Sequence, residues 1–456
     1  GDSGFPYLSD SFLSALTTSQ CGIPEPPEPP LRIRFTVFFD GTGNNMYNTF
    51  ARESGTADGE TGSYEADYSN VARLAIAVRT PNSDEDHHQS RYVEGIGTLA
   101  GSSDDFRGMA LGQGGRGVKD RASDCLDEII STIQGLAAGY KKLDRLRIDA
   151  FGFSRGAAAA RYFTHLMLDK KEGVRARVGK FIPVVEFEIP FLGLFDTVAH
   201  FGLSYENDTT DLSLDAIKDS TVKKVIQLAA ADEHRLNFPL TNIDSAKGHG
   251  QEIFLPGVHS DVGGSYNELD PGDGCDENLV LFEASGMPGD AAMIKRCDAM
   301  RQELIDLGWY HGTEVKVTSQ HVPVGHGMVI EERKVVATRY GISKKYSYVP
   351  LHMMADKAGT KGLGFRLACY KYSNIPLLVK IRGMIEDNTQ SALHWMYSKD
   401  PDIVRLRHDY MHSSSNYKTT WGMATNKPQF YSAAEEWDDS VTNRMTGKRR
   451  RRIFPG

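Results

Sequence analysis

A serine, an acid and a histidine occur in this chain in the order Ser154, Asp196, His259, each where an apolar run gives way to a turn. Together these types can perform acyl transfer. A hydroxyl is a weak nucleophile that needs a neighbouring imidazole to take its proton and a carboxylate to orient that imidazole. Ser154 lies in Gly152-Phe-Ser-Arg-Gly156, a G-x-S-x-G pentapeptide. With 45 glycines in the chain the bare pattern carries little. Its context carries more, because the apolar run from Leu146 precedes it and an alanine-rich segment, Ala157 to Ala160, follows. That is the setting of a nucleophile elbow, in which a tight strand-to-helix turn lifts the hydroxyl towards solvent. Asp196 ends the apolar stretch from Ile189, where it serves either as the orienting acid or as the cap of the next turn. His259 follows a short strand broken by Pro256 and Gly257 and is expected on a glycine-rich loop. Among 14 histidines, His200 is too close in sequence to Asp196, His87 and His88 precede Ser154, and His352 and His408 remain rivals.

A fourth element is the strand from Ile33 that runs into Asp40-Gly41-Thr42-Gly43. In open α/β sheets, ligand loops gather at the carboxyl ends of strands, and a serine hydrolase takes one oxyanion N–H from an early loop and one from the residue after the nucleophile. Gly41 and Arg155 are the expected donors, with Asp40 and Thr42 supporting the loop. Asp40-Gly41-Thr42 also resembles half of the D-x-D-G-T motif of aspartate-dependent phosphatases. The nucleophilic position of that motif is Phe38 here, so a phosphoryl-aspartate route lacks its nucleophile.

Taken together, Phe39-Asp-Gly-Thr-Gly-Asn-Asn45, Gly152-Phe-Ser-Arg-Gly-Ala157, Phe195-Asp-Thr-Val198 and Pro256-Gly-Val-His-Ser-Asp-Val-Gly-Gly264 resemble the signature blocks of the first family of bacterial type VI secretion lipase effectors. The likeness spans Leu31 to Tyr266 and extends to the tail Lys448 to Pro455. It implies an α/β-hydrolase core with phospholipase A activity, a triad of Ser154, Asp196 and His259, and an appended region facing a phospholipid membrane. It also implies synthesis in the bacterial cytoplasm, export by a secretion-system carrier, action from the periplasm of a rival cell, and a cognate immunity protein. The alternatives are an esterase or peptidase acting on soluble substrates, and a non-catalytic adaptor on a hydrolase fold.

Stepping outward from the site, strand-like runs alternate with expected helices at Asn70 to Val78, Val118 to Ala138, Gly156 to Leu168 and Val222 to Ala231. Such alternation indicates an α/β fold with a mostly parallel sheet covered by helices. Three regions are expected: residues 1–30, an N-terminal segment with a Pro-rich linker; residues 31–270, the catalytic core; and residues 271–456, a mainly helical accessory region acting as lid, membrane-facing or partner-docking element. Within it, Ala291 to Leu307 carries an apolar stripe that suits a core helix, a lid or a membrane-docking face. The loops Ser54 to Tyr68 and Gly101 to Gly117 are expected to border the site.

A net charge of −8 argues against a nucleic-acid partner. Five scattered cysteines without paired spacing disfavour structural zinc and a disulfide framework, and no cofactor or metal is expected. The formal G-x-G-x-x-G at Gly112 to Gly117 follows a polar stretch rather than a buried strand, which argues against a dinucleotide. The acidic loop Asp270 to Glu277 lacks calcium-loop spacing. The chain has no apolar run of about 18 residues and no signal-peptide pattern, and it starts on Gly1, consistent with upstream residues having been removed. The basic run Lys448 to Arg452 reads as a solvated tail, as a contact for anionic headgroups worth about 1 kcal/mol per charge, or as a carrier dock.

Overall fold

The structure, a computed structural model, describes residues 29–57, 62–79, 84–102, 104, 117–199, 212–270, 274–387, 391–417, 427, 430–431 and 448–456. Its centre is a seven-stranded parallel sheet. Strand β1 (Arg32–Phe39) lies between β2 (His87–Val93) and β3 (Leu143–Phe153), and the order continues through β5 (Leu192–Phe195) and β6 (Val225–Ala230) to β7 (Gly250–Leu255). Strand β4 (Val184–Glu188) pairs with the first half of β3, whereas β5 pairs with its last four residues. Strand order therefore reverses between β1 and β3. At such a switch point the loops leaving the two strands diverge to opposite faces and open a crevice at their carboxyl ends. Asp40 to Thr42 leave β1 there and Ser154 leaves β3.

Seven of the eight β1 residues are buried, as are the last six of β3 and all of β5 and β6. Helices α1 (Met46–Glu53), α2 (Asn70–Ala77), α3 (Val118–Leu136) and α4 (Arg155–Leu168) are the main helices of this half of the chain. Each fully buried Val, Ile or Phe contributes about 1.5–3 kcal/mol, so the strands are held chiefly by what covers them. A buried Arg34–Asp149 ion pair with a 2.7 Å contact links β1 and β3.

The segment Val222 to Ala231, expected to be a helix, is instead strand β6 in the heart of the sheet. Its Gln, Leu and Ala residues favour a helix locally, but both of its faces are covered, so period-two alternation vanishes and tertiary pairing overrides propensity. His259 likewise opens a short helix, α5 (His259–Gly263), rather than sitting in an extended loop.

Beyond residue 270 a three-stranded antiparallel sheet, which the sequence did not reveal, joins the helices: β8 (Glu277–Gly286), β9 (Val315–Gly325) and β10 (Met328–Arg339), in the order β8-β10-β9. Helix α6 (Ala291–Asp306) buries Met293, Cys297, Met300 and Leu304. The stripe is core, and the lid and membrane-docking roles weighed for this helix do not fit its packing. One buried cluster contains Phe151 and Phe153 of β3 and Phe195 of β5 together with Cys297, Met354 and Trp395. The Gly112 to Arg116 part of the glycine motif and the N-terminal Pro-rich segment through Glu28 lie outside the described residues. Among the described residues, Cys125, Cys275, Cys297 and Cys369 are free thiols.

Candidate active site

Ser154 occupies a backbone conformation that L-residues rarely adopt, with φ 59° and ψ −125°, between the end of β3 and the start of α4. Strain of this kind costs about 1–3 kcal/mol and persists only where the surroundings enforce it. Two glycines make the turn possible. A Cβ on Gly152 would stand 2.4 Å from the Gly156 carbonyl oxygen, and one on Gly156 would stand 2.3 Å from the carbonyl oxygens of Phe39 and Asp40. The first turn of α4 thus abuts the end of β1 with no room for a methyl group. The Ser154 N–H donates to the Phe195 carbonyl, and its carbonyl accepts from Val198, so the elbow is stitched to the loop that carries Asp196.

Asp196, also at positive φ (50°), follows β5. Its carboxylate is fully buried and accepts from the Nδ1 of His259 at 2.5 Å and from the Ala230 N–H at 2.8 Å. Two further bonds come from Arg451, whose Nη1 donates to Oδ1 at 2.5 Å and Nη2 to Oδ2 at 2.9 Å. Burial alone would raise the Asp196 carboxyl; Arg451 and His259 outweigh it and hold the group below the usual carboxylate range. His259 moves down from its ordinary 6.5 because burial disfavours the imidazolium, a trend that Asp196 partly opposes. With Nδ1 facing Asp196, Nε2 is the ring nitrogen left for a substrate-side partner.

The imidazole is held on several sides. The Phe153 ring, adjacent to the serine in sequence, lies 4.6 Å from it, and Phe238 meets it edge-on at 5.1 Å. The His259 N–H donates to Glu233 at 3.3 Å, and Glu233 is paired with Arg235 at 3.0 Å. Asp261 caps the same short helix, accepting from the Val258 N–H, and is itself bonded by His412 Nδ1 at 2.8 Å. Residues on both sides of position 270 therefore hold the helix that carries His259.

On the opposite wall, Asp40 accepts from Ser69 Oγ (2.6 Å), Tyr92 Oη (2.5 Å) and the Gly41 N–H (2.7 Å). Burial pushes its carboxyl up to about 6 against these hydrogen bonds. Gly41, expected to donate to an oxyanion, instead directs its N–H at the carboxylate of the preceding Asp40. Among the described residues no hydrogen bond engages the Thr42 N–H, and the buried Thr42 Oγ1 has no partner. Thr42 is thus the donor the loop leaves available.

The rival histidines lie elsewhere. His352 Nε2 bonds the Tyr370 carbonyl at 2.8 Å, and His408 bonds Glu314 and Asp409. Of the basic run, Arg449 and Arg451 are only 8% and 4% exposed, which corrects the reading of a solvated or lipid-contacting tail for these two residues. Local pattern singles out neither Glu233 nor the Asp261–His412 pair and shows Arg451 only as part of a basic run; the signal for Glu233, an acidic pair after the Val222 to Ala231 segment, is hidden because that strand reads as a helix. His311, Glu314 and His408 bring one ligand atom each within 4.8 Å of one another. That His-Glu-His donor set suits a borderline divalent cation, assembled from residues too far apart in sequence to show as a motif.

The mostly parallel sheet covered by helices, with a strained strand-to-helix turn at Ser154 where strand order reverses, is an α/β-hydrolase-like fold. The family model for the catalytic domain of type VI secretion system Tle1-like phospholipase effectors matches residues 34–178 and 171–280, and the chain belongs to that family. Among solved structures, the Tle1 effector bound to the VgrG spike of the type 6 secretion system has a TM-score of 0.64 and 22% identity over 94% of this chain and 95% of that one. An uncharacterized protein from Pseudomonas aeruginosa, at 24% identity, covers 57% of this chain and 45% of its own with a TM-score of 0.37. No curated protein matches.

Proposed function

We propose that this phospholipase effector is a serine carboxylester hydrolase of the phospholipase A type, with Ser154 as nucleophile, His259 as base and Asp196 as its orienting acid. The observation that carries the reading is the buried 2.5 Å Asp196–His259 bond together with a serine held at positive φ whose N–H bonds the residue before Asp196. His259 Nε2 takes the Ser154 proton as Oγ attacks the ester carbonyl carbon. The tetrahedral oxyanion meets the N–H groups of Arg155, at the start of α4, and of Thr42. Collapse breaks the ester C–O bond, and the imidazolium returns its proton to the departing lysophospholipid oxygen. Water, deprotonated by His259, then releases the fatty acid and regenerates the serine.

Membrane access is supported by the turn joining β9 and β10. From Val322 to Ile330 it carries no charged side chain, with Val324 48%, Met328 57% and Val329 38% exposed. Exposed apolar groups of this kind suit the acyl boundary of a bilayer. No helix of the described residues is long and apolar enough to cross a membrane. Delivery by a spike-type carrier, an antibacterial role in the periplasm of a target cell and an immunity protein in the producer follow from family membership as parts of the same proposal. The three regions 1–30, 31–270 and 271–456 are kept as a working division. Fatty-acid release from phospholipid vesicles tests the assignment: Ser154→Ala should abolish it in a folded protein, and wild-type turnover by that variant would refute the nucleophile.

A further inference from the structure

We infer that Arg451 is a positioning residue of the hydrolytic site, a guanidinium supplied by the 448–456 segment that fixes and partly neutralises Asp196. The inference rests on the Ser154–His259–Asp196 reading. The geometry is specific. Both Asp196 oxygens are gripped, at 2.5 and 2.9 Å, in a two-pronged pairing that a lysine cannot reproduce. The same side chain donates from Nε to the Phe238 carbonyl at 2.8 Å and from Nη1 to the Ala230 carbonyl at 3.2 Å. Arg451 therefore bonds Asp196, the end of β6, and the residue whose ring packs on His259.

The segment is anchored where this requires. Ile453 and Phe454 pair in parallel with Leu240 and Thr241. The Leu240 N–H donates to the Arg452 carbonyl and the Asn242 N–H to that of Phe454, each at 2.9 Å. Two-residue pairing alone is a modest restraint. The buried charge pair is what makes the segment's placement matter to the chemistry.

Without a counter-charge the Asp196 carboxylate would hold the imidazolium more tightly, raising the proton affinity of His259. A guanidinium on the far side of the carboxylate weakens that hold while keeping the oxygens aimed at Nδ1. The other charged groups acting on His259 are Glu233 and Arg235, which are paired with each other, and Glu233 also feels the Arg451 charge.

The test uses the full chain with Arg451→Met and Arg451→Lys, assayed for fatty-acid release from vesicles across pH, with thermal unfolding measured alongside and Ser154→Ala as reference. In Arg451→Met we expect kcat to fall on the order of tenfold or more, part of the 10²–10⁴ that a positioned base supplies. KM should change little, and the acid limb of kcat/KM should move up by about one pH unit or more. Arg451→Lys restores charge without the fork, so its limb should return towards wild type while kcat stays below it. If Arg451→Met is too unstable to assay, the limb and kcat of Arg451→Lys decide. A folded Arg451→Met, or in its absence Arg451→Lys, with wild-type kcat and an unshifted limb overturns the inference while leaving the triad intact. Activity surviving in Ser154→Ala refutes the triad itself.

Discussion

Replacing Asp196 by asparagine keeps the side chain's shape and removes its charge, and the surrounding hydrogen bonds fix the consequence. One carboxylate oxygen takes the Ala230 N–H and Arg451 Nη1; the other takes His259 Nδ1 and Arg451 Nη2. An amide offers one acceptor, so in either orientation its NH2 group faces a guanidinium N–H. Pointed at His259, it also forces the tautomer that places the proton on Nε2 and leaves no base for Ser154. In the reference serine protease triad the equivalent change lowers kcat about 10⁴-fold, and a loss of that order is expected here. Stability should fall too, because Arg451 is left buried without its counter-charge, at a cost of about 3–5 kcal/mol. Removing both partners is far milder than removing either. Asp196→Asn with Arg451→Met should therefore recover at least about 2 kcal/mol relative to the sum of the singles, measured as urea unfolding in a double-mutant cycle. Losses that add within about 0.5 kcal/mol would show that the pair is not coupled and would refute the reasoning.

Gly156→Ala places a methyl group 2.3 Å from two main-chain oxygens that cannot rotate away. We expect a stability loss of about 1–3 kcal/mol or more and a drop in kcat of about 10²-fold as the start of α4 shifts from β1. Thermal unfolding and vesicle hydrolysis read both effects. If His259 is the neutral base proposed, the acid limb of kcat/KM should lie below 6.5, because burial lowers its proton affinity and activity is lost only as pH falls through that depressed value. A limb above 6.5 in the wild type would contradict this. Val324→Asp with Met328→Asp should weaken hydrolysis of vesicles while sparing a short-chain soluble ester, and equal loss on both substrates would remove the turn from membrane contact.

Much of the fold is legible in the sequence where apolar runs meet glycine, and less where pairing decides. The elbow at Ser154 and the strand leading to Asp196 announce themselves through local pattern, since strained turns need small neighbours. Strand β6 does not, because a segment covered on both faces loses alternation and its Gln-Leu-Ala composition mimics a helix. The antiparallel β8–β10 unit is hidden for a related reason: its exposed turn and polar strands resemble loop. Arg451 is hidden most completely, since a basic run ordinarily means solvent, and only the distant carboxylate it meets gives it a buried role. Gly41 shows the limit of motif reading, where a bond to the preceding carboxylate occupies its N–H and leaves that of Thr42 without an acceptor among the described residues.

The most direct measurement is mass-spectrometric mapping of the adduct formed with a serine-directed fluorophosphonate. One adduct on Ser154, formed by the wild type and lost in both Ser154→Ala and His259→Ala, is the expected result. Labelling elsewhere, or undiminished labelling of Ser154 without His259, would contradict a nucleophile activated by that imidazole.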